Sequence, residues 1–402
     1  MQPAPREPVE PVVSDAWEVF AGFGPRGVRI AAHDSTVWFV ADRVTNEAHG
    51  NLWLTATTDT GVSVVDPIPV DTDGGGRYLG YPTLAVTDAN VHVAFVKYGS
   101  PGDQVFVRSF DPAGVPLTSG DRRVPISVDN VMIPSVHGLA LAASPDGGAR
   151  LLTASDAMTQ EVAIAELDPR GLPTGRTSVA GTNDDGQNSA LAIATQRNGA
   201  TVIAWDRAYD NCFGPYRPQA LDTTTIDAAA LVGPLVSVND LPNRDVHAPV
   251  LASIDDATFI AWQTGWDGSI TMLAQYPDLS ASLELHDAFS PALALTAADR
   301  GAVMWTSADG IMRVSQFAQL AGHITLADER TFGAVANPPS TIGLVSVGAE
   351  RFVLAWRELD PLEPASYHVF ARTIDFTQPD QGDAPRTSPR TSSSRRARPC
   401  SH

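Results

Sequence analysis

The chain has 402 residues, 43% of them hydrophobic, enough for a large core in one repeat array or in two or three ordinary domains. Its formal net charge is −19; residues 384–402 carry five arginines and no acid, so the body without them stands at −24. A body that acidic repels phosphate backbones, which excludes nucleic acid as the expected partner, and no apolar run reaches the roughly 18 residues of a membrane span.

The opening MQPAPREPVEPVV is Pro-rich and acidic, with neither the charged nor the apolar region of a secretory signal. Residues 1–15 read as a disordered leader, because Pro denies both helix and central strand. WEVFAGF at 17–23 then reads as a single orphan strand.

From Val28 a repeat begins. Its clearest phrase is GATVIAWDR at 199–207, a turn, alternating β-branched residues, then an aromatic and a charge. It returns as ATFIAWQ (257–263), GAVMWT (301–306) and RFVLAWR (351–357), and more weakly as TVWFVADR (36–43), NVHVAFVK (90–97) and GARLLTA (148–154). The mean step is about 52 residues, a propeller or solenoid period. Each unit offers four short strands. The first is rich in Ala and Leu (PTLAVT, GLALAA, ALAIAT, PALALT), which suits a crowded inner strand. The third runs into an Asp/Gly turn, DPAG at 111–114 and DPRG at 168–171, and the fourth is expected at 67–73, 125–130 and 235–240. Seven such units without a helical period predict an all-β fold, a seven-bladed β-propeller of four-stranded antiparallel blades spanning residues 16–376. The seventh unit has strands near 341–347, 351–356 and 367–375 and no fourth. The orphan strand at 17–23 is expected to fill that place and close the ring, removing two exposed edges. Residues 377–402 are low-complexity, rich in Arg, Ser and Pro, and read as a disordered tail.

Turns between first and second strands, and between third and fourth, are tight. Second-to-third and blade-to-blade connections are longer and share the opposite face, where a rigid scaffold usually carries function. That long-loop face supplies the candidate ligand-binding residues Asp42, Arg43, Arg77, Tyr78, Tyr98, Asp185, Arg207, Tyr209, Trp266, Asp267, Glu358 and Tyr367. Aromatics with carboxylates and arginines suit a glycan or a peptide surface; taken singly, each is as readily a solvated loop residue. Trp205, Trp262, Trp305 and Trp356 of the repeated phrase are expected in the inter-blade core.

Other motifs fail their context. GFGPRG at 22–27 matches GxGxxG, but a strand follows it where a nucleotide site needs a helix. Cys212 and Cys400 make neither a disulfide framework nor a metal site, and nine histidines are scattered without ligand spacing. DTDG at 71–74 and NDDG at 183–186 look like starts of calcium loops, but the first has Gly75 at its third ligand position and no bidentate Glu at the right distance. No cofactor or metal is expected, and calcium stays without support.

Val28-Arg29-Ile30-Ala31, FVADR at 39–43 and TTDTG at 57–61 resemble the opening of sialidases. The resemblance implies that Arg29 binds a substrate carboxylate and that Asp42 or Glu47 is a general acid; Ala31 stands where the family has Pro, and Val64 where its turn motif has an aromatic. Over residues 17–376 the units also resemble repeat propellers of secreted bacterial proteins, mostly of unassigned function. That resemblance implies an extracytoplasmic binding scaffold, although no signal peptide is present. The expectation is therefore a monomeric, non-enzymatic propeller engaging a glycan or protein ligand through its long-loop face. A sialidase-like glycoside hydrolase and a structural surface module are the alternatives.

Overall fold

The structure is a computed structural model. It describes residues 12–23, 28–46, 49–71, 79–98, 102–125, 136–155, 161–181, 188–209, 217–238, 246–264, 270–279, 282–334, 341–359 and 367–377. Every regular element among them is a β-strand. The strands form seven antiparallel sheets of the expected connectivity. The first strands, Val28–His33, Leu79–Val86, Val136–Ala143, Asn188–Thr195, Val246–Ile254, Ala288–Ala297 and Thr341–Gly348, each touch the next, and the last touches the first. This is a closed seven-bladed propeller with the first strands around its axis.

The closure is the expected one. In the last blade Tyr367–Asp375 pairs with Arg351–Leu359 on one side and with Trp17–Phe23 on the other, in the register Trp17↔Ala371 and Phe20↔Val369. Val12–Val13 continues the pairing to Ile374 and Asp375. Glu18 and His368 meet across the seam at 2.6 Å.

The core is divided into seven slabs, one between each pair of neighbouring blades. This explains the repeated phrase. A second strand has a blade on either side, so Val91–Lys97 is buried at every position, and such strands read as continuous apolar runs. Trp205, Trp262, Trp305 and Trp356 are all at most 5% exposed and lie in the slabs shared with the preceding blades. Small residues matter on the inner strands: a Cβ on Gly343 would fall 2.6 Å from Cγ2 of Ile30, across the junction of the last and first blades.

Of the three fourth strands expected by position, that at 235–240 contains the observed Val236–Val238; in the first two blades the described strands begin earlier, Ser63–Pro69 and Arg122–Val124, and residues 72–73 and 126–130 of those expectations lie outside the described residues. In the first blade pairing starts immediately after the turn, with Ser63 opposite Thr57, and Val65 is the only fully buried position of that strand. Outer strands have few buried positions, so the hydrogen bonds launched by the preceding turn set their limits, not an apolar pattern.

Candidate functional site

The first strands carry a second regularity. In the blades starting at Leu79, Val136, Asn188, Val246, Ala288 and Thr341, pairing with the second strand slips near the strand's beginning. Tyr81, Ala248 and Ser290 sit at three of these slips with φ of 48°, 47° and 52°, and each precedes a proline. Non-glycine residues in this region are strained, and such strain concentrates at ligand clamps and active sites. A bulge re-aims the chain; here it does so at the mouth of the axis on the long-loop face.

Inside that mouth lies a cavity of about 500 Å³ lined by the first strands of all seven blades. Most of the lining is aliphatic backbone and side chain. Among the described lining residues Arg29 and Tyr81 are the large polar exceptions, and Tyr81 is 40% exposed. The Arg29 guanidinium is exposed to the cavity yet ringed by protein. Enclosure lowers its pKa from the ordinary arginine value, Arg357 pushes in the same direction, and Asp42 opposes both. Arg29 donates to the carbonyl of Val28 at 3.0 Å. Arg357, at the end of the neighbouring second strand, lies over the Tyr367 ring with its guanidinium carbon 4.9 Å from the centroid.

Asp42 occupies a strand, not an exposed loop, and is 2% exposed. Its counterpart in the fourth blade explains why. Asp42 follows Ala41, the partner of Val28, as Asp206 follows Trp205, the partner of Leu191. Asp206 is buried and accepts the backbone N–H of Ala190 at 2.7 Å, pinning the start of a cavity-lining strand. In the fourth blade the carboxylate at this position thus supports the inner strand.

The other described candidates also end strands. Glu358 accepts the indole N–H of Trp356 at 2.8 Å. Tyr367 supports Arg357. Tyr98 packs on Gly80, where a Cβ would meet its ring at 2.6 Å, and its ring centre is 6.3 Å from that of Tyr81. Arg43, Arg207 and Tyr209 lie at strand ends beside the long connections. Arg77, Tyr78, Asp185, Trp266 and Asp267 lie outside the described residues, as does most of both calcium-like stretches. Asp71, the first residue of one, is instead bound to Lys97 at 2.8 Å. The structure thus gathers Arg29, Asp42, Arg357, Tyr367, Tyr81 and Tyr98 around one half of the axial mouth. Tyr81 escaped the sequence reading; its signal was an X-Pro pair opening the inner strand, YP, AP and SP at 81–82, 248–249 and 290–291.

The propeller likeness extends to solved structures. A protein of unknown function from Dyadobacter fermentans DSM 18053 aligns at a TM-score of 0.53 and 10% identity over 92% of this chain and 98% of its own. A PL25 ulvan lyase aligns at 0.57 and 10% identity over 87% and 93% of the two chains. The lyase bound to -[GlcA(1-4)Rha3S]- aligns at 0.58 and 11% over 88% and 95%. At these identities the likeness is one of fold. No family model and no curated protein matches the chain.

The opposite face is charged differently. There the turns of the second to fifth blades line a cavity of about 480 Å³ that includes Asp88, Asp146 and Asp255, with Arg197 opposing them. The axis therefore runs from a mouth with Arg29 and Arg357 to one dominated by acids.

Proposed function

We propose that this protein is a carbohydrate-binding propeller that receives a carboxylate-bearing glycan in the axial cavity from the long-loop face. The observation that carries the reading is the cavity of about 500 Å³ with Arg29 exposed inside it and Tyr81 at its mouth. A guanidinium offers a fork of donors matched to a carboxylate, a phenol ring offers a stacking face and a hydroxyl, and enclosure in low dielectric strengthens both. That Arg357 and Asp42 act on Arg29 adds a second cation and one compensating charge to the same mouth. Solved propellers of this shape include the ulvan lyase bound to -[GlcA(1-4)Rha3S]-, so the fold accommodates a glycan of this class. Binding without hydrolysis is the preferred reading because, among the described residues that line the cavity, the large polar groups are a cation and a phenol, whereas glycosidases use two carboxylates roughly 5–10 Å apart.

The test is a glycan array probed with the full chain. Binding to uronic- or sialic-acid glycans, weakened at least about tenfold by Arg29→Ala and by Tyr81→Ala, is expected. Silence on the array, or binding indifferent to both substitutions, would overturn it. Turnover of a fluorogenic sialoside that Arg29→Ala abolishes would replace it with the hydrolase reading.

A further inference from the structure

The first strands align level by level through their pairing with the second strands. Arg29 pairs with Val40, the residue before Ala41, as Ala192 pairs with Ala204, the residue before Trp205. Thr83, Ala140, Val250, Ala292 and Gly343 hold the same place in the other blades. Arg29 is therefore by far the largest side chain at its level, and its small neighbours leave room beside the guanidinium. The next level inward is the opposite. There every blade carries an isoleucine, Ile30 and Ile193, or a leucine, from Leu84 in the second blade to Leu344 in the seventh. Each of these seven packs into the core slab shared with the preceding blade and also lines the cavity, of which they are the deepest residues. The level after that, alanine in six blades and Val345 in the seventh, lines neither axial cavity. The cavity of the opposite face begins only beyond it, at Val86, Ala143, Thr195 and Ser253.

We infer, resting on the axial reading above, that the cavity is blind and takes the end of a glycan: a terminal acidic residue enters first, its carboxylate against Arg29, and the rest of the chain leaves past Tyr81. An acidic residue within a chain needs an exit on both of its sides. The aliphatic collar stands where the second exit would be. Among the described residues that collar offers no side-chain hydrogen bond, so a sugar unit pushed into it would lose water from its hydroxyls without compensation. Above the collar Arg29 and Tyr81 supply polar partners. The depth agrees with entry by a chain end. Three residues separate Ser290, at the strained mouth, from Leu293 in the collar, at most about 10 Å of strand. The volume of about 500 Å³ lies in the range of small-ligand pockets rather than of a groove that holds a long chain.

The test is calorimetric titration of the full chain with two pairs of oligosaccharides, one pair containing glucuronic acid and the other sialic acid. In each pair the acidic residue is terminal in one member and capped by a neutral sugar in the other. In at least one pair the terminal member is expected to bind at least about tenfold more tightly than the capped one. Ala192→Leu fills the level of Arg29 and should weaken the terminal member about tenfold or more; if that variant does not fold, the comparison on the unaltered protein decides alone. Equal affinity within the pairs, preference for the capped member, or an unchanged affinity in folded Ala192→Leu would overturn the inference; if Arg29→Ala still weakens binding, the axial reading survives that result. The axial reading fails separately, and takes the inference with it, if neither pair binds or if binding is indifferent to Arg29→Ala.

Discussion

The ring of Trp17 lies against Gly61 so closely that a Cβ on the glycine would fall 2.7 Å from Cγ of the indole. Gly61 has φ of 85° and closes the third-to-fourth turn of the first blade, while Trp17 belongs to the strand completing the last blade. One glycine therefore admits the closing strand. Gly61→Ala combines a disfavoured φ with a steric clash and should cost about 2–4 kcal/mol. Urea unfolding would measure it; a loss under about 0.5 kcal/mol would mean that the indole is not held there.

Three blades share one turn. Asp111, Asp168 and Asp227 each accept N–H groups two and four residues ahead, at 2.8–2.9 Å. The turn needs a left-handed residue, supplied by Gly114 and Gly171 but by Ala230, at φ 62°, in the fourth blade. Ala230→Gly should stabilise the protein by about 1 kcal/mol, in contrast to most glycine substitutions. Thermal and urea unfolding check the sign.

Lys97 is the chain's only lysine and is buried, bonded to Asp71 at 2.8 Å and Asp121 at 2.7 Å. Burial raises the pKa of Asp121, Lys97 counteracts it, and Asp71 adds to it. A carboxyl whose folded pKa is raised binds more protons folded than unfolded, so its contribution falls as pH rises from the unfolded value toward the folded one. Lys97→Met removes the counteracting cation. It should cost about 3–5 kcal/mol at pH 7, and less near pH 4, where the pair can share a proton. Unfolding at both pH values gives the comparison, and equal losses would refute it.

His92 is fully buried, with Nδ1 2.7 Å from Ser109 Oγ and Nε2 3.2 Å from the carbonyl of Gly147 in the next blade. The carbonyl can only accept, so Nε2 carries the proton and Nδ1 accepts from Ser109. Burial lowers the His92 pKa below 6.5, outweighing the Gly147 carbonyl and the more distant Asp168 and Asp146. Below pH 6.5 the unfolded chain takes up a proton that the folded one refuses, so stability should decline there as pH falls toward the folded pKa. His92→Gln should flatten that part of the stability–pH curve. An unchanged slope would assign it to other groups.

The architecture was legible because each second strand is buried on both faces and so repeats its apolar phrase, and because WEVFAGF at 17–23 had no partner nearby in sequence. The outer strands were less legible, since Ser63–Pro69 buries too little to show a pattern. The placement of the candidate residues was legible only in part. Asp42 and Glu358 looked like loop acids, because alternation does not reveal that Thr36–Asn46 and Arg351–Leu359 extend past them. Tyr81 was invisible, since its position at the mouth depends on a slip in pairing that X-Pro merely permits.

Ser14 bonds to Thr373 across 359 residues of chain. During synthesis the closing strand therefore emerges first and waits until its partner, Tyr367–Asp375, has left the ribosome. Throughout that interval the nascent chain presents two open edges, one at each end of an unfinished ring. A protein interrupted anywhere before that final strand lacks more than its last blade: Trp17–Phe23 is left without a partner, and the seam that joins last blade to first cannot form.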